Sequence, residues 1–291
     1  METHKLHLFA TLAELQHFNR AAERCHVSPS TLTRTIQAME HELKVKLFER
    51  DNRSVELTPQ GKLFLRYARE MLQQWETMQQ RMLAESDSLN GAISIYCSVT
   101  ASYSFLYDIL TDFRQLHPGI EIRLHTGDPA DALERTLAGQ EDIAIAARPE
   151  RHPAGLSFKS FAKSPLVFIA PTDDSLFSAI TSKYPKDFWQ HLPLIIPERG
   201  IARERLDSWF RGQQLSQKIY AQVSGNEALV SMVSLGFGVG LVPKIVVDNS
   251  PLKGKVKFFD QQIEIEAYEV GVCVLERRLK SPLVRAFWEQ I

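Results

Sequence analysis

The sequence has few cysteines and no long apolar run, and these two shortages exclude several classes of protein. Only Cys25, Cys97 and Cys273 occur among 291 residues, too few and too scattered for a disulfide framework or a zinc site. The longest apolar stretch, residues 229–242, is too short to cross a membrane and contains three glycines and two serines. Polar residues interrupt the N-terminus, which does not resemble a signal peptide. We expect a soluble protein in a reducing cytoplasm.

The sequence also lacks an excess of charge of one sign and the common catalytic motifs. Its formal net charge is -1, which removes the simplest argument for nucleic-acid binding, a globally basic chain. The nine histidines show no HxxxH or HExxH spacing, and no GxSxG sequence occurs. The glycines of segment 236–240 follow a predicted helix and precede a predicted strand, the reverse of a dinucleotide-binding loop. These glycines predict close packing of a helix on a strand. Because the common metal-binding and catalytic motifs are lacking, we expect neither a metal site nor an enzyme.

Residues 1–58 are predicted to form a helical domain. The first apolar residues recur at helical intervals: Leu6, Phe9, Leu12, Ala13 and Leu15. Asn19 is placed to cap a short helix over residues 20–25. Ser28 followed by Pro29 is a favoured helix start. The helix that they begin has apolar residues at intervals of four, three and four: Leu32, Ile36, Met39 and Leu43. One of its faces is therefore predicted to be buried and the other to be polar.

Two helices joined by a short turn are typical of a helix-turn-helix, whose second helix enters the major groove of DNA. The candidate DNA-binding residues on this helix are Ser28, Pro29, Ser30, Thr31, Thr33, Arg34 and Gln37. Arg34 can bond guanine O6 and N7, Gln37 can pair with adenine, and the hydroxyl groups can contact phosphates. The spacing alone also allows an ordinary helical pair with a solvated polar face.

A β-hairpin is predicted next, because Asp51-Asn52 is a turn signal between two short extended segments. Arg50, Asn52 and Arg53 are the candidate DNA-binding residues of this hairpin. Basic residues near it and near the preceding helices form two weak positive patches in an otherwise balanced domain.

A long helix is predicted over residues 59–84, after Thr58-Pro59. Its apolar residues recur at intervals of three and four: Phe64, Tyr67, Ala68, Met71, Leu72, Trp75, Met78 and Met82. A long helix with one apolar stripe needs a partner, most simply its own copy in a second chain.

Strands and helices alternate from residue 92 onward, after a polar segment over residues 85–91 that we interpret as a hinge. This alternation favours an α/β fold with mostly parallel sheets. The pattern leaves open whether residues 92–291 form one sheet or two subdomains.

A set of residues in the first 65 positions carries a resemblance to a known family. They are Ala21, Ala22, Val27, Ser28, Pro29, Ser30, Leu32, Thr33, Arg34, Ile36, Gln37, Glu40, Leu43, Leu47, Phe48, Arg50, Leu57, Thr58 and Gly61. In this pattern the sequence resembles the N-terminal winged helix-turn-helix of LysR-type transcriptional regulators. The resemblance covers the whole chain but is diffuse after residue 65, except over residues 227–243.

The resemblance implies a particular division of the chain. Residues 1–58 would be the DNA-binding domain, 59–84 the dimerising linker helix, and 85–91 the hinge. Residues 92–291 would form an effector-binding domain like a periplasmic binding protein. Its two subdomains would span about 92–162 plus 267–291, and 163–266.

Four segments, SPSTLTR, RDNRSVELT, YCSVTAS and GNEALVSMVSLGFGVGLVP, are most similar to one group within that family. Its members activate branched-chain amino-acid biosynthesis in response to acetohydroxy acids. The resemblance implies double-stranded DNA, RNA polymerase and a second copy of the chain as partners, in a homodimer or a dimer of dimers. It implies no cofactor, and an anionic inducer such as acetolactate or acetohydroxybutyrate. The alternative is a LysR-type regulator of another pathway with a different carboxylate effector.

The candidate effector-binding residues are Ser98, Val99, Thr100, Thr126, Gly127, Arg148, Arg199, Ser224 and Asn226. The first five follow two predicted strands, where a helix N-terminus and hydroxyl groups suit a carboxylate. The two arginines could neutralise an anion, and the last two residues could line the opposite wall of a cleft. The serine and the threonines could equally be simple helix caps.

Two further classes are rivals to the regulator hypothesis. A periplasmic solute-binding protein would share the two-lobed α/β part, but it would need an export signal and would not explain residues 1–84. A cytosolic α/β enzyme would need a convergent acid–base, metal or nucleotide site, and the sequence shows none.

Overall fold

The computed structural model describes residues 2–50, 55–83, 89–173, 175–184, 188–259 and 265–291. The chain divides into two compact units. Unit 1 contains residues 1–89 and 138–140, and unit 2 contains residues 90–137 and 141–291. Within the described residues, no helix is both long and apolar enough to cross a bilayer.

Unit 1 is a helical domain with a small hairpin. Its elements are α1 (Thr3–Leu15), α2 (Phe18–Arg24), α3 (Pro29–Leu43), β1 (Phe48–Arg50), β2 (Val55–Leu57) and α4 (Pro59–Leu83). Its core contains the apolar residues that the helical intervals predicted, among them Leu6, Phe9, Leu12, Leu32, Ile36 and Met39. The predicted cap at Ser28 is confirmed, because its Oγ accepts the Thr31 N–H at 3.1 Å.

The start of α2 differs from the prediction by two residues. α2 begins at Phe18, and its N-cap is His17 rather than Asn19. The His17 backbone is extended, and its Nδ1 accepts the Arg20 N–H at 3.4 Å. An imidazole nitrogen here replaces the short oxygen-bearing side chain that the cap prediction required.

The hairpin of β1 and β2 is confirmed in its strands, which pair antiparallel with Phe48 opposite Leu57. The predicted turn residues Asp51, Asn52 and Arg53 lie outside the described residues. Gly61 lies against the chain that enters β1, and a Cβ on it would overlap the Leu47 carbonyl oxygen. Glycine is therefore required where α4 passes this strand.

α4 has two apolar faces where the sequence indicated one stripe. Phe64, Leu65, Ala68 and Leu72 pack against the core of unit 1. A second row stays exposed: Leu63, Tyr67, Met71, Trp75, Met78 and Met82. The intervals of three and four correctly predicted a helix, but the apolar residues form two adjacent rows on it. Only the exposed row lacks a packing partner among the described residues of this unit.

Unit 2 consists of two lobes, each built on a five-stranded sheet. The first lobe contains β3 (Gly91–Cys97), α5 (Val99–Ser104), α6 (Leu106–Leu116), β4 (Ile120–Thr126), α7 (Ala132–Leu137), β5 (Ile143–Ala147) and β6 (Leu156–Ser164). The second contains β7 (Leu166–Pro171), α8 (Ser175–Lys183), α9 (Phe188–His191), β8 (Pro193–Pro197), α10 (Ile201–Gly212), β9 (Lys218–Val223), α11 (Asn226–Ser234), β10 (Val239–Pro243), α12 (Lys244–Asp248) and β11 (Val256–Phe258). β12 (Tyr268–Leu275) and α13 (Pro282–Gln290) then return to the first lobe.

The sheets are mixed, so the expectation of mostly parallel sheets was wrong. The strand orders are β4-β3-β5-β12-β6 and β11-β7-β10-β8-β9, and each sheet has two parallel and two antiparallel pairs among the described residues. In the first lobe, β12 pairs antiparallel with both β5 and β6. β6 and β7 are separated only by Pro165, so the chain passes from the first sheet to the second without the helical crossover that a parallel pair requires.

Two cysteines and a glycine have packing roles in the interior of unit 2. Cys97 and Cys273 are fully buried, and burial raises the pKa of each thiol to about 12. Gly240 lies where α11 packs on β10, and a Cβ there would overlap the Leu229 side chain. The glycine-rich segment therefore serves close helix-to-strand packing, as predicted.

Candidate functional site

The predicted recognition helix α3 presents its polar face away from the unit 1 core. Ser28, Pro29, Ser30, Thr31, Arg34 and Gln37 are exposed, and Thr33 is half-buried. The opposite face, with Leu32, Ile36 and Met39, is fully buried. The alternation that the sequence indicated is thus real, and it leaves one continuous polar surface on this helix.

The polar residues of α3 fall into two kinds. Ser28, Ser30 and Thr31 join in a local network, in which the Ser28 Oγ lies 2.9 Å from Ser30 Oγ and 2.7 Å from Thr31 Oγ1. Arg34 and Gln37 have no side-chain hydrogen bond or ion pair to any residue that the structure describes. Their donors and acceptors are available to an outside partner such as a base edge.

The hairpin is attached to α3 by Glu40, a residue whose position in the site the sequence did not single out. Glu40 is buried, and its Oε1 accepts the backbone N–H groups of Leu47 at 2.9 Å and Phe48 at 3.2 Å. A glutamate among the apolar positions of an amphipathic helix was the signal for this role. Arg50 ends β1 beside this attachment, whereas Asn52 and Arg53 lie outside the described residues.

A cleft of about 590 Å³ lies between the two lobes of unit 2. It lies at the carboxyl ends of β3, β5, β8 and β9, where α/β proteins bind ligands. Its apolar wall includes Ala101, Phe105, Leu133, Ile145, Ile201, Val223 and Val246. This volume is in the range of small-molecule sites.

Four of the nine predicted effector-binding residues line this cleft: Ser98, Thr100, Arg199 and Asn226. Each of the first three already has an internal partner. The Ser98 Oγ caps α5 by accepting the Ala101 N–H at 3.2 Å. Arg199 forms an ion pair with Asp131.

Thr100 is bound to a residue that the sequence analysis did not propose for the site. Its backbone N–H and its Oγ1 both donate to Glu227 Oε1, at 2.9 and 2.6 Å. Thr100 belongs to the first lobe and Glu227, in the first turn of α11, to the second. A carboxylate therefore already lies where the sequence predicted the carboxylate of a ligand.

The other five predicted effector-binding residues lie outside the lining of the cleft. Val99 and Thr126 are exposed, and the Gly127 N–H donates to the Cys97 carbonyl oxygen at 3.1 Å. Arg148 bonds Glu269 at 2.8 Å. The Ser224 Oγ donates to Asp128 Oδ2 at 2.7 Å, which joins the two lobes at the margin of the cleft.

The lining of the cleft also contains charged and polar residues outside the nine predicted ones. They are Asp128, Glu150, Arg151, Glu204 and Tyr268. Burial raises the pKa of Tyr268 far above its usual value, so its hydroxyl stays protonated. Arg151 is exposed and has no side-chain partner within the described residues, in contrast to Arg199.

A helix-turn-helix unit with a hairpin, joined to a two-lobed α/β unit with a central cleft, defines a ligand-responsive regulator. Family models agree with both parts. Residues 3–62 match the model described as bacterial regulatory helix-turn-helix protein, lysR family, and residues 86–291 match the LysR substrate binding domain. The chain belongs to the LysR family of transcriptional regulators, and it is not an enzyme.

The chain is similar over its whole length to curated regulators named IlvY. It is 43% identical over 292 residues to the HTH-type transcriptional activator IlvY of Haemophilus influenzae, with 100% of both chains covered. It is 42% identical to the HTH-type transcriptional regulator IlvY of Escherichia coli, with 99% of this chain and 98% of that protein covered. The motif resemblance in the sequence pointed to this same group, and that expectation is confirmed.

Solved structures of the family show the same fold. A full-length single-substitution variant of OxyR from Pseudomonas aeruginosa matches with a TM-score of 0.69 at 22% identity, with 100% of this chain and 94% of that one covered. Full-length CbnR in complex with its target DNA matches with a TM-score of 0.64 at 24% identity, with 100% and 99% covered.

Proposed function

We propose that this regulator activates genes of branched-chain amino-acid biosynthesis in response to a 2-acetohydroxy acid. The observation that carries the proposal is the 43% identity, over the full length of both chains, to an activator named IlvY. Similarity of this extent includes the effector-binding lobes as well as the more generic DNA-binding unit. A LysR-type regulator of another pathway, with a different carboxylate effector, is the alternative.

The proposed DNA contacts follow from the exposed face of α3. Its residues from Pro29 to Gln37 would enter the major groove, with Arg34 and Gln37 reading base edges. Ser28, Ser30, Thr31 and Thr33 would contact phosphates or base edges, and Arg50, Asn52 and Arg53 of the hairpin would contact the backbone or the minor groove. The lack of partners for Arg34 and Gln37 among the described residues supports this assignment.

The proposed assembly is a homodimer or a dimer of dimers in the cytoplasm, with residues 59–84 as the dimerising helix. The exposed row from Leu63 to Met82 supports this, since an apolar stripe of this length is costly to leave in water. We also propose the hinge at residues 85–91 and the division of residues 92–291 into two subdomains, about 92–162 plus 267–291 and 163–266. Effector binding would change the arrangement of subunits on DNA and thereby the contact with RNA polymerase.

The proposed effector site is the cleft between the lobes. An acetohydroxy acid has one carboxylate, one tertiary hydroxyl, one ketone and a small alkyl group. Ser98, Thr100, Arg199 and Asn226 supply polar contacts, and Ala101, Phe105 and Ile145 supply an apolar wall for the alkyl group. Discrimination between acetolactate and acetohydroxybutyrate would be modest, because one methylene changes the binding free energy by only about 1–3 kcal/mol.

The test is calorimetry of the full chain with 2-acetolactate, together with gel-shift measurements on DNA upstream of branched-chain biosynthetic genes. We expect saturable binding of 2-acetolactate and specific retention of that DNA. If the chain does not bind 2-acetolactate at millimolar concentration but binds an unrelated carboxylate, the alternative holds: a LysR-type regulator of another pathway.

A further inference from the structure

The contact between Thr100 and Glu227 differs from two other polar contacts that join the lobes. Two donors of Thr100 converge on one carboxylate oxygen, at 2.9 and 2.6 Å. The contacts of Ser224 with Asp128 and of Arg199 with Asp131 involve side chains that water reaches. Thr100 is only 2% exposed, so its donors cannot turn to water.

Burial of these donors imposes a requirement on the cleft. A buried N–H or O–H group without an acceptor is costly, and hydrogen bonds to a charged acceptor are stronger than those to a neutral one. The two donors of Thr100 therefore favour an acceptor at this place in the cleft, preferably an anion. In the structure that acceptor belongs to the protein itself, in the first turn of α11 in the second lobe.

We propose that the Glu227 carboxylate is an internal competitor of the effector: it binds the Thr100 donors in the free regulator, and the carboxylate of the effector replaces it. This inference rests on the proposed function, because it takes the effector to be an anion bound in the cleft. The two carboxylates exclude each other by charge as well as by space, since both need the same pair of donors.

Replacement of Glu227 has a structural consequence. Glu227 lies in the first turn of α11 in the second lobe, and its contact with Thr100 of α5 links the two lobes. An effector that accepts the hydrogen bonds of Thr100 breaks the contact between Thr100 and Glu227 and replaces it with contacts of its own. The relative position of the lobes then depends on which carboxylate is bound, which gives two states that the effector can shift between.

The test compares 2-acetolactate affinity in variants of the full chain by calorimetry. Glu227→Ala removes the competitor, so we expect affinity about tenfold higher than in the wild type, the equivalent of one charge-assisted hydrogen bond. Glu227→Gln keeps an acceptor without charge and should give an intermediate gain. Glu276→Ala is the matched control, because Glu276 is exposed and lies outside the cleft lining, and its affinity should equal that of the wild type.

Gel-shift measurements and thermal melts establish that each variant is folded. If Glu227→Ala loses its fold, Glu227→Gln decides the matter, since it preserves the shape of the side chain. Equal or weaker binding by the Glu227 variants, with normal binding by the wild type, would overturn the inference and leave the proposed effector standing. Failure of 2-acetolactate to bind both the wild type and the Glu227 variants would overturn both. Binding of 2-acetolactate by Glu227→Ala but not by the wild type would directly support the proposal that Glu227 competes with the effector.

Discussion

The two units differ in how their functional groups are partnered within the chain. In unit 1, Arg34 and Gln37 have no side-chain partner among the described residues, and the exposed row of α4 packs on none of the described residues of that unit. In unit 2, three of the four predicted residues that line the cleft, Ser98, Thr100 and Arg199, already bind protein groups. Arg34 and Gln37 are thus left without a partner in the described part of the chain, whereas most of the predicted residues that line the cleft are paired within the protein.

This difference has an energetic basis. In the proposed DNA complex, exposed groups on α3 exchange water for DNA, so they need no internal partner. The polar groups of Ser98 and Thr100 are buried, so each needs a protein partner that a bound ligand would have to match or displace. Substitutions on the exposed faces of α3 and α4 should therefore alter association with little change in stability, and substitutions of buried residues in the cleft should alter both.

The largest effect is expected from Met71→Asp on the exposed row of α4. An unpaired charge buried between two helices should cost at least about 3 kcal/mol, which is enough to prevent pairing at micromolar concentrations. Sedimentation should show monomers, and operator binding should be lost, while the melting of unit 1 stays unchanged. Arg66→Asp is the control, because Arg66 is exposed and lies on a different side of the same helix from Met71.

Leu72→Asp distinguishes the two faces of α4. Leu72 packs against the core of unit 1, so its substitution should unfold this unit rather than merely separate the chains. If Met71→Asp leaves the oligomer intact, the exposed row of α4 is not a dimer interface. The exposed row would then no longer be an example of a unit 1 surface left free for a macromolecular partner.

The second largest effect is expected from Arg34→Ala. Loss of a bidentate contact to guanine should weaken specific binding by about 1–3 kcal/mol and relax the preference at one base pair. Because Arg34 has no partner among the described residues, the melting temperature should not move. Arg34→Lys keeps the charge without the bidentate geometry, so it should retain non-specific affinity and lose discrimination. A large drop in the melting temperature of Arg34→Ala would contradict the absence of a partner for Arg34 among the described residues.

The sequence was sufficient to predict what local rules determine. The cap at Ser28, the buried face of α3 and the extent of α4 depend on neighbours within one or two turns, and all three are present. The His17 cap was missed because imidazole is an unusual cap. β6 and β11 pair with strands that are distant in the chain, so local periodicity does not specify their place in the sheets.

The cleft could be predicted only in part, for a related reason. Ser98 and Thr100 were found because a strand end followed by a helix start is visible in the sequence. Glu227 is 127 residues from Thr100, and its contact exists only because the two lobes fold against each other. Thr126 seemed equivalent to Ser98 by its place after a strand, but the packing leaves it exposed outside the cleft.

A smaller effect is expected from Ser98→Ala, which tests a residue that both caps a helix and lines the cleft. Loss of the cap to the Ala101 N–H should lower the free energy of unfolding by about 0.5–2 kcal/mol. Calorimetry should also show weaker 2-acetolactate binding. Operator binding without effector should stay near normal, because Ser98 lies in unit 2. Loss of effector binding with unchanged stability would mean that the cap contributes nothing.

The smallest effect is expected from Thr126→Ala, which is the partner test for Ser98→Ala. The sequence placed Thr126 and Ser98 at equivalent strand ends and assigned both to the effector carboxylate. In the structure Thr126 is exposed and lies outside the cleft lining, so solvent can satisfy its hydroxyl. Its removal should change the free energy of unfolding by less than about 0.5 kcal/mol and leave 2-acetolactate affinity unchanged. A lost response in this variant would show that the effector reaches the end of β4, and that the site extends beyond the cleft between the lobes.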